Sequence, residues 1–136
     1  MASRKRVLII DDHPLFREGL KSIIAGDRCF EVGGEAGTAQ NGFAMAKQIK
    51  PDVALVDISL PDESGMQLTR RIRKALPGTR VMIVSMHSKI DYIVEAFQAG
   101  ATGYVVKDSA AERLIQGLHV VTRGEYFLDS SISHEV

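Results

Sequence analysis

Short β-prone apolar runs alternate with segments of helical period five times along this chain, and that alternation leaves little choice of architecture. Val7-Leu8-Ile9-Ile10 is too short for a helix and has the make-up of a strand buried on both faces. Pro14 then suits a first helical turn, and Phe16, Leu20, Ile23 and Ile24 recur on one helical face before Gly26. Phe30 to Ala36 reads as a weaker strand because Gly33 and Gly34 loosen it. Thr38 can cap a helix carrying Phe43, Ala44, Ala46 and Ile49, which Pro51 stops. Val53-Ala54-Leu55-Val56 is another buried-strand run. Ser64 and Gln67 form a capping-box pattern, and Met66, Ile72 and Leu76 mark a helix that ends at Pro77-Gly78.

The fourth and fifth units follow the same rule. Val81 to Val84 precedes a helical face of Ile90, Val94 and Phe97 that stops before Gly100. Tyr104-Val105-Val106 precedes a second capping-box pattern, Ser109 with Glu112, and a face of Leu114, Leu118 and Val121 that runs to Gly124. Apolar strands need cover on both sides, and right-handed crossovers between parallel strands supply it. The expected fold is therefore α/β, a doubly wound five-stranded parallel sheet, within the one domain that 136 residues can form. Seventeen basic side chains cancel seventeen acidic ones, so the chain has no bulk positive field to draw it onto nucleic acid. No apolar run approaches the ~20 residues of a membrane span. The single cysteine, Cys29, excludes an intramolecular disulfide, suits a reducing cytoplasmic setting, and is expected to be a small core residue.

In doubly wound sheets the ligand site lies beyond the carboxyl ends of the strands, near the point where strand order reverses. The residues at those ends are Asp11-Asp12, Asp57, Ser85 and Lys107. Three converging carboxylates repel one another unless a cation sits among them, and oxygen-only ligands with no histidine or cysteine nearby favour Mg²⁺ or Mn²⁺ over zinc. Lysine supplies a point charge for phosphate and serine a hydroxyl donor. A carboxylate can act as the nucleophile of phosphoryl transfer, and Asp57, alone in its loop, is the candidate.

These residues together resemble the receiver domain of two-component response regulators. Val7 to Asp12, Pro51 to Gly65, Val81 to Ser88 and Ala99 to Lys107 carry the likeness. His13-Pro14-Leu15-Phe16-Arg17-Glu18-Gly19-Leu20, Ser85-Met86-His87 and Ala99-Gly100-Ala101-Thr102-Gly103-Tyr104 are similar to the NarL/FixJ (LuxR-type) subfamily. The resemblance implies the flavodoxin-like (βα)5 receiver fold and a phosphoacceptor signalling role rather than enzymatic turnover. Asp57 would take a phosphoryl group from a histidine kinase. Mg²⁺ would be held by Asp12 and Asp57, by Asp11 through water and by the Ser59 backbone carbonyl. Lys107 would pair with the phosphoryl group, Ser85 would swing toward it, and Tyr104 would rotate inward into the space released.

Position 85 is Ser where the family often has Thr, and Leu60 stands where Met is frequent. Ser59 and His87 occupy two variable positions that help govern how fast water reaches the acyl phosphate. His13 and His87 read as polar surface rather than ligands. A phosphatase turning over external substrate would need a carboxylate two residues after Asp57 as general acid, and Ser59 stands there. A single-domain or phosphorylation-independent receiver acting as an interaction module is the alternative reading. The expected organisation is a receiver over residues 1–124 and, over 125–136, the start of a linker toward a helix-turn-helix domain, the DNA contact belonging to that further domain. A homodimer is expected, through the fourth helix, fifth strand and fifth helix or through the first and fifth helices.

Overall fold

A computed structural model of the chain describes residues 3–129. Strands and helices alternate in the expected order: β1 (Lys5–Ile10), α1 (Pro14–Ala25), β2 (Phe30–Ala36), α2 (Ala39–Ile49), β3 (Val53–Val56), α3 (Gly65–Ala75), β4 (Arg80–Ser85), α4 (Ile90–Gln98), β5 (Gly103–Val106) and α5 (Ala110–Thr122). A two-residue strand, β6 (Phe127–Leu128), follows. All strand pairs are parallel, and the sheet order is β2-β1-β3-β4-β5-β6. The order reverses between β1 and β3, so a crevice opens beyond their carboxyl ends.

Alternation along each strand divides the core in two. Leu8, Ile10, Ala54, Val56, Val81 and Ile83 pack beneath α2, α3 and α4, where they meet Ala46, Leu68, Ile72 and Ile93. Val7, Ile9, Val53, Leu55, Met82 and Val84 face the other way, against Leu20 and Ile24 of α1 and Leu114, Leu118 and Val121 of α5. Each fully buried aliphatic side chain contributes about 1.5–3 kcal/mol. This two-faced burial is why the strands read as unbroken apolar runs.

The weakness anticipated at Gly33-Gly34 has a geometric cause. Val7 pairs with Val32 but Leu8 pairs with Gly34, so Gly33 is the extra residue of a bulge. A Cβ at Gly34 would collide with the Met45 sulfur. Pro14 opens α1, Thr38 Oγ1 accepts from the Asn41 N–H at 3.1 Å, and Ser64 Oγ accepts from the Met66 N–H at 3.1 Å. Asp62 reinforces the start of α2 from outside, accepting from the N–H groups of Ala39 (2.8 Å) and Gln40 (3.0 Å).

Three expectations are corrected. Ser109 does not cap α5 with its side chain; its hydroxyl donates to Asp129 and to the Val106 carbonyl instead. Cys29 is exposed, because it lies in the turn before β2 rather than within the strand. The sheet has six strands rather than the expected five: Phe127 and Leu128 pair with Gly103 and Tyr104. Residues 130–136 lie outside the described part.

Gly65 shapes the loop after β3. A Cβ there would collide with the Asp57 carbonyl oxygen and lie 2.8 Å from the Ile58 Cα, both backbone atoms. Gly65→Ala is expected to destabilise the fold by about 1–3 kcal/mol. Gly19→Ala, in an exposed part of α1 with nothing within 4 Å, is expected to stabilise it by about 0.5–1 kcal/mol. Urea unfolding of both variants checks the pair.

Candidate functional site

Backbone pairing sets the carboxylates in place. The Asp57 N–H donates to the Ile10 carbonyl at 3.0 Å and the Asp11 N–H to the Ala36 carbonyl at 3.0 Å, continuing the ladders one residue past the strands. Asp11 and Asp57 are thereby buried, 2% and 3% exposed. Lys107, in a 3₁₀ turn (Lys107–Ser109) directly after β5, reaches both: its Nζ lies 2.9 Å from Asp11 Oδ2 and donates to Asp57 Oδ2 at 3.1 Å. The ammonium also sits 4.5 Å from the centre of the Phe16 ring.

One lysine against Asp11, Asp12 and Asp57 leaves two negative charges unmatched by it. Asp12 Oδ1 is buried without a hydrogen-bond partner. The ligand atoms of Asp11, Asp12, His13 and Asp57 all lie within 4.8 Å of one another. A crowded carboxylate set whose buried Asp12 oxygen accepts no hydrogen bond fits a hard divalent cation, which supplies further positive charge.

His13, expected as ordinary polar surface, stands in this cluster. Its Nδ1 is 2.9 Å from Asp11 Oδ1, 3.2 Å from Asp12 Oδ1 and 3.1 Å from Lys107 Nζ. Its backbone N–H donates to Asp11 Oδ1 at 2.8 Å, and the side chain stays 58% exposed at the mouth of the site. The available signal was its place immediately after the acid pair at the end of β1.

Ser85 and Tyr104 form a neighbouring unit. Ser85, fully buried, accepts from the His87 N–H at 3.1 Å, and the Tyr104 hydroxyl donates to the His87 carbonyl at 2.7 Å. Tyr104 is 0% exposed, and burial pushes its phenol up to about 12. The His87 ring stacks on Tyr92 of α4 at 4.1 Å. Ser59 lies at the lip of the site, its N–H donating to Asp57 Oδ1 at 3.3 Å, and it bridges to Ser64.

A family model, the response regulator receiver domain, matches residues 7–119. The chain belongs to this family. Among its relatives, YxjL of Bacillus subtilis, described as a transcriptional regulatory protein, is 41% identical over 88% of this chain and 55% of its own length. The nitrate/nitrite response regulator protein NarL of Escherichia coli K12 is 32% identical over 93% of this chain and 59% of its own. A LuxR-family two-component response regulator from Aurantimonas sp. superposes with a TM-score of 0.93 at 32% identity, covering 98% of this chain and 95% of that one. This receiver is thus of the NarL/FixJ type, and it spans little more than half the length of the full relatives. Receiver domains of such regulators are not enzymes in the ordinary sense.

Removing Lys107 would leave Asp11 and Asp57 buried without their shared cation. Lys107→Ala is expected to destabilise the receiver by about 3–5 kcal/mol. Urea denaturation at neutral pH with chelator present measures it, and added divalent cation should recover part of the loss.

Proposed function

We propose that this receiver accepts a phosphoryl group on Asp57 and uses it to switch an output. The observation that carries the reading is the Lys107 ammonium bonded at once to Asp11 and Asp57, beside a buried Asp12 oxygen that accepts no hydrogen bond. An Asp57 carboxylate oxygen attacks phosphorus, the P–N bond of a kinase phosphohistidine breaks, and the imidazole leaves with the bonding pair and takes up a proton. Lys107 neutralises charge on the transferring group, and Ser85 offers its hydroxyl to a phosphoryl oxygen. Mg²⁺, or Mn²⁺ in its place, held by Asp11, Asp12, Asp57 and the Ser59 carbonyl, supplies further charge neutralisation when bound. Hydrolysis of the aspartyl phosphate is the one turnover the domain would assist.

Leu15 and Met86, 88% and 62% exposed, line a groove with His13, Phe16 and Lys107 at the site's edge. That apolar rim suits a kinase that must present its phosphohistidine to Asp57. The single free thiol of Cys29 accords with a cytoplasmic setting. The relatives named as transcriptional regulatory proteins support a further DNA-binding helix-turn-helix domain as the output, reached through the 125–136 segment and acting as a homodimer.

Incubation with acetyl phosphate, followed by mass spectrometry of the intact chain, tests the proposal. One added phosphoryl group that requires Mg²⁺ and is lost in Asp57→Asn is expected. An adduct that persists in Asp57→Asn, or none at all, contradicts it.

A further inference from the structure

Lys107 has to hold its ammonium between two carboxylates from a turn with little stability of its own. A single three-residue 3₁₀ turn is short and has poor hydrogen-bond geometry. The turn is fixed from elsewhere in the chain. Asp129, 0% exposed, directs Oδ2 at both flanks of Lys107: it accepts from the Val106 N–H at 3.2 Å and from the Ser109 hydroxyl. Its own N–H donates to the Tyr104 carbonyl at 3.0 Å, and the Arg113 Nε lies 3.8 Å from Oδ1.

The placement follows from the shortness of β6. β6 pairs with only Gly103 and Tyr104, so the ladder ends before Val106. Asp129 makes one further backbone bond, and its side chain then takes the Val106 N–H that a longer strand would have taken. Burying a carboxylate is costly unless it is hydrogen-bonded, and the bonds to Val106 and Ser109 offset that cost. An apolar residue would be the cheaper choice at a purely structural position.

We infer that Asp129 is a positioning residue for phosphoryl transfer: it clamps the residues on either side of Lys107 and so sets the ammonium against Asp57 and Asp11. The inference rests on the function proposed above. Side chains that act through another group commonly matter through small displacements, since about 1 Å of misplacement can cost a hundredfold in rate.

The test compares wild type, Asp129→Ala and Ser109→Ala as whole chains. With acetyl phosphate at saturating Mg²⁺, Asp129→Ala is expected to slow aspartyl-phosphate formation by between about ten- and a hundredfold, with the half-saturating Mg²⁺ concentration unchanged. Ser109→Ala, which removes one bond of the clamp, should give a smaller loss in the same direction. In the chain without metal or donor, the NMR signal of the Lys107 ammonium should shift and its protons exchange faster in both variants. A folded Asp129→Ala with an unaltered rate and Lys107 signal overturns the inference. So does a rate that falls together with Mg²⁺ affinity, since that is general loosening. Should Asp129→Ala fail to fold, Ser109→Ala and Asp129→Asn decide by the same readouts. If wild type takes no phosphoryl group, the proposed function fails, and the Lys107 signal still decides whether Asp129 places the lysine.

Discussion

Asp11 and Asp57 are buried side by side and share one buried ammonium, and the site is organised around that arrangement. Lys107 is only 6% exposed at its side chain, so the three charges interact with little screening and a large desolvation penalty. β5 is two strands away from β3, across β4, a separation of about 9–10 Å. The lysine must span most of it with its four-carbon stem. Position 85, at the end of the intervening strand, is the small Ser85, fully buried. The strand order and the lysine placed directly after β5 thus serve one geometric requirement.

The same arrangement explains why the site remains charged. A hydrophobic substitute for a buried ionic cluster would in general be neutral or stabilising, so stability alone does not account for the acids and the lysine. Tyr104, Ser85 and His87 lie next to this centre, joined through the two groups of the His87 backbone. His87 in turn stacks on α4. A change of charge at Asp57 that moved Ser85 would therefore be felt by a buried aromatic and by a helix outside the site, as a two-state element biased by local electrostatics requires.

Most of this was legible in the sequence because the fold's demands are periodic and the site's are positional. Runs such as Val53 to Val56 announce strands buried on both faces, and the first polar residues after them, Asp11, Asp12, Asp57, Ser85 and Lys107, lie where a doubly wound sheet collects its ligands. What escaped depends on partners distant in sequence. Two residues carry no period, so β6 left no signal; it exists because Gly103 and Tyr104 had an open edge. Ser109 looked like a helix cap, but a carboxylate twenty residues later offers its hydroxyl a stronger acceptor than a helix N–H offers as donor. His13 is on the surface as expected, but its contacts with Asp57 and Lys107 depend on residues far along the chain. Residue type alone suggests a core position for Cys29, but it stands one position before the strand begins and is exposed.

The central claim is that Lys107 supplies part, and only part, of the positive charge the acids need, leaving Asp12 to draw a divalent cation. Calorimetric Mg²⁺ titration of wild type, Asp12→Asn and Lys107→Ala tests it most directly. The account predicts one site in wild type, loss of binding in Asp12→Asn, and tighter binding in Lys107→Ala, where the competing ammonium is gone. Wild-type affinity in Asp12→Asn, or weaker binding in a folded Lys107→Ala, would contradict it.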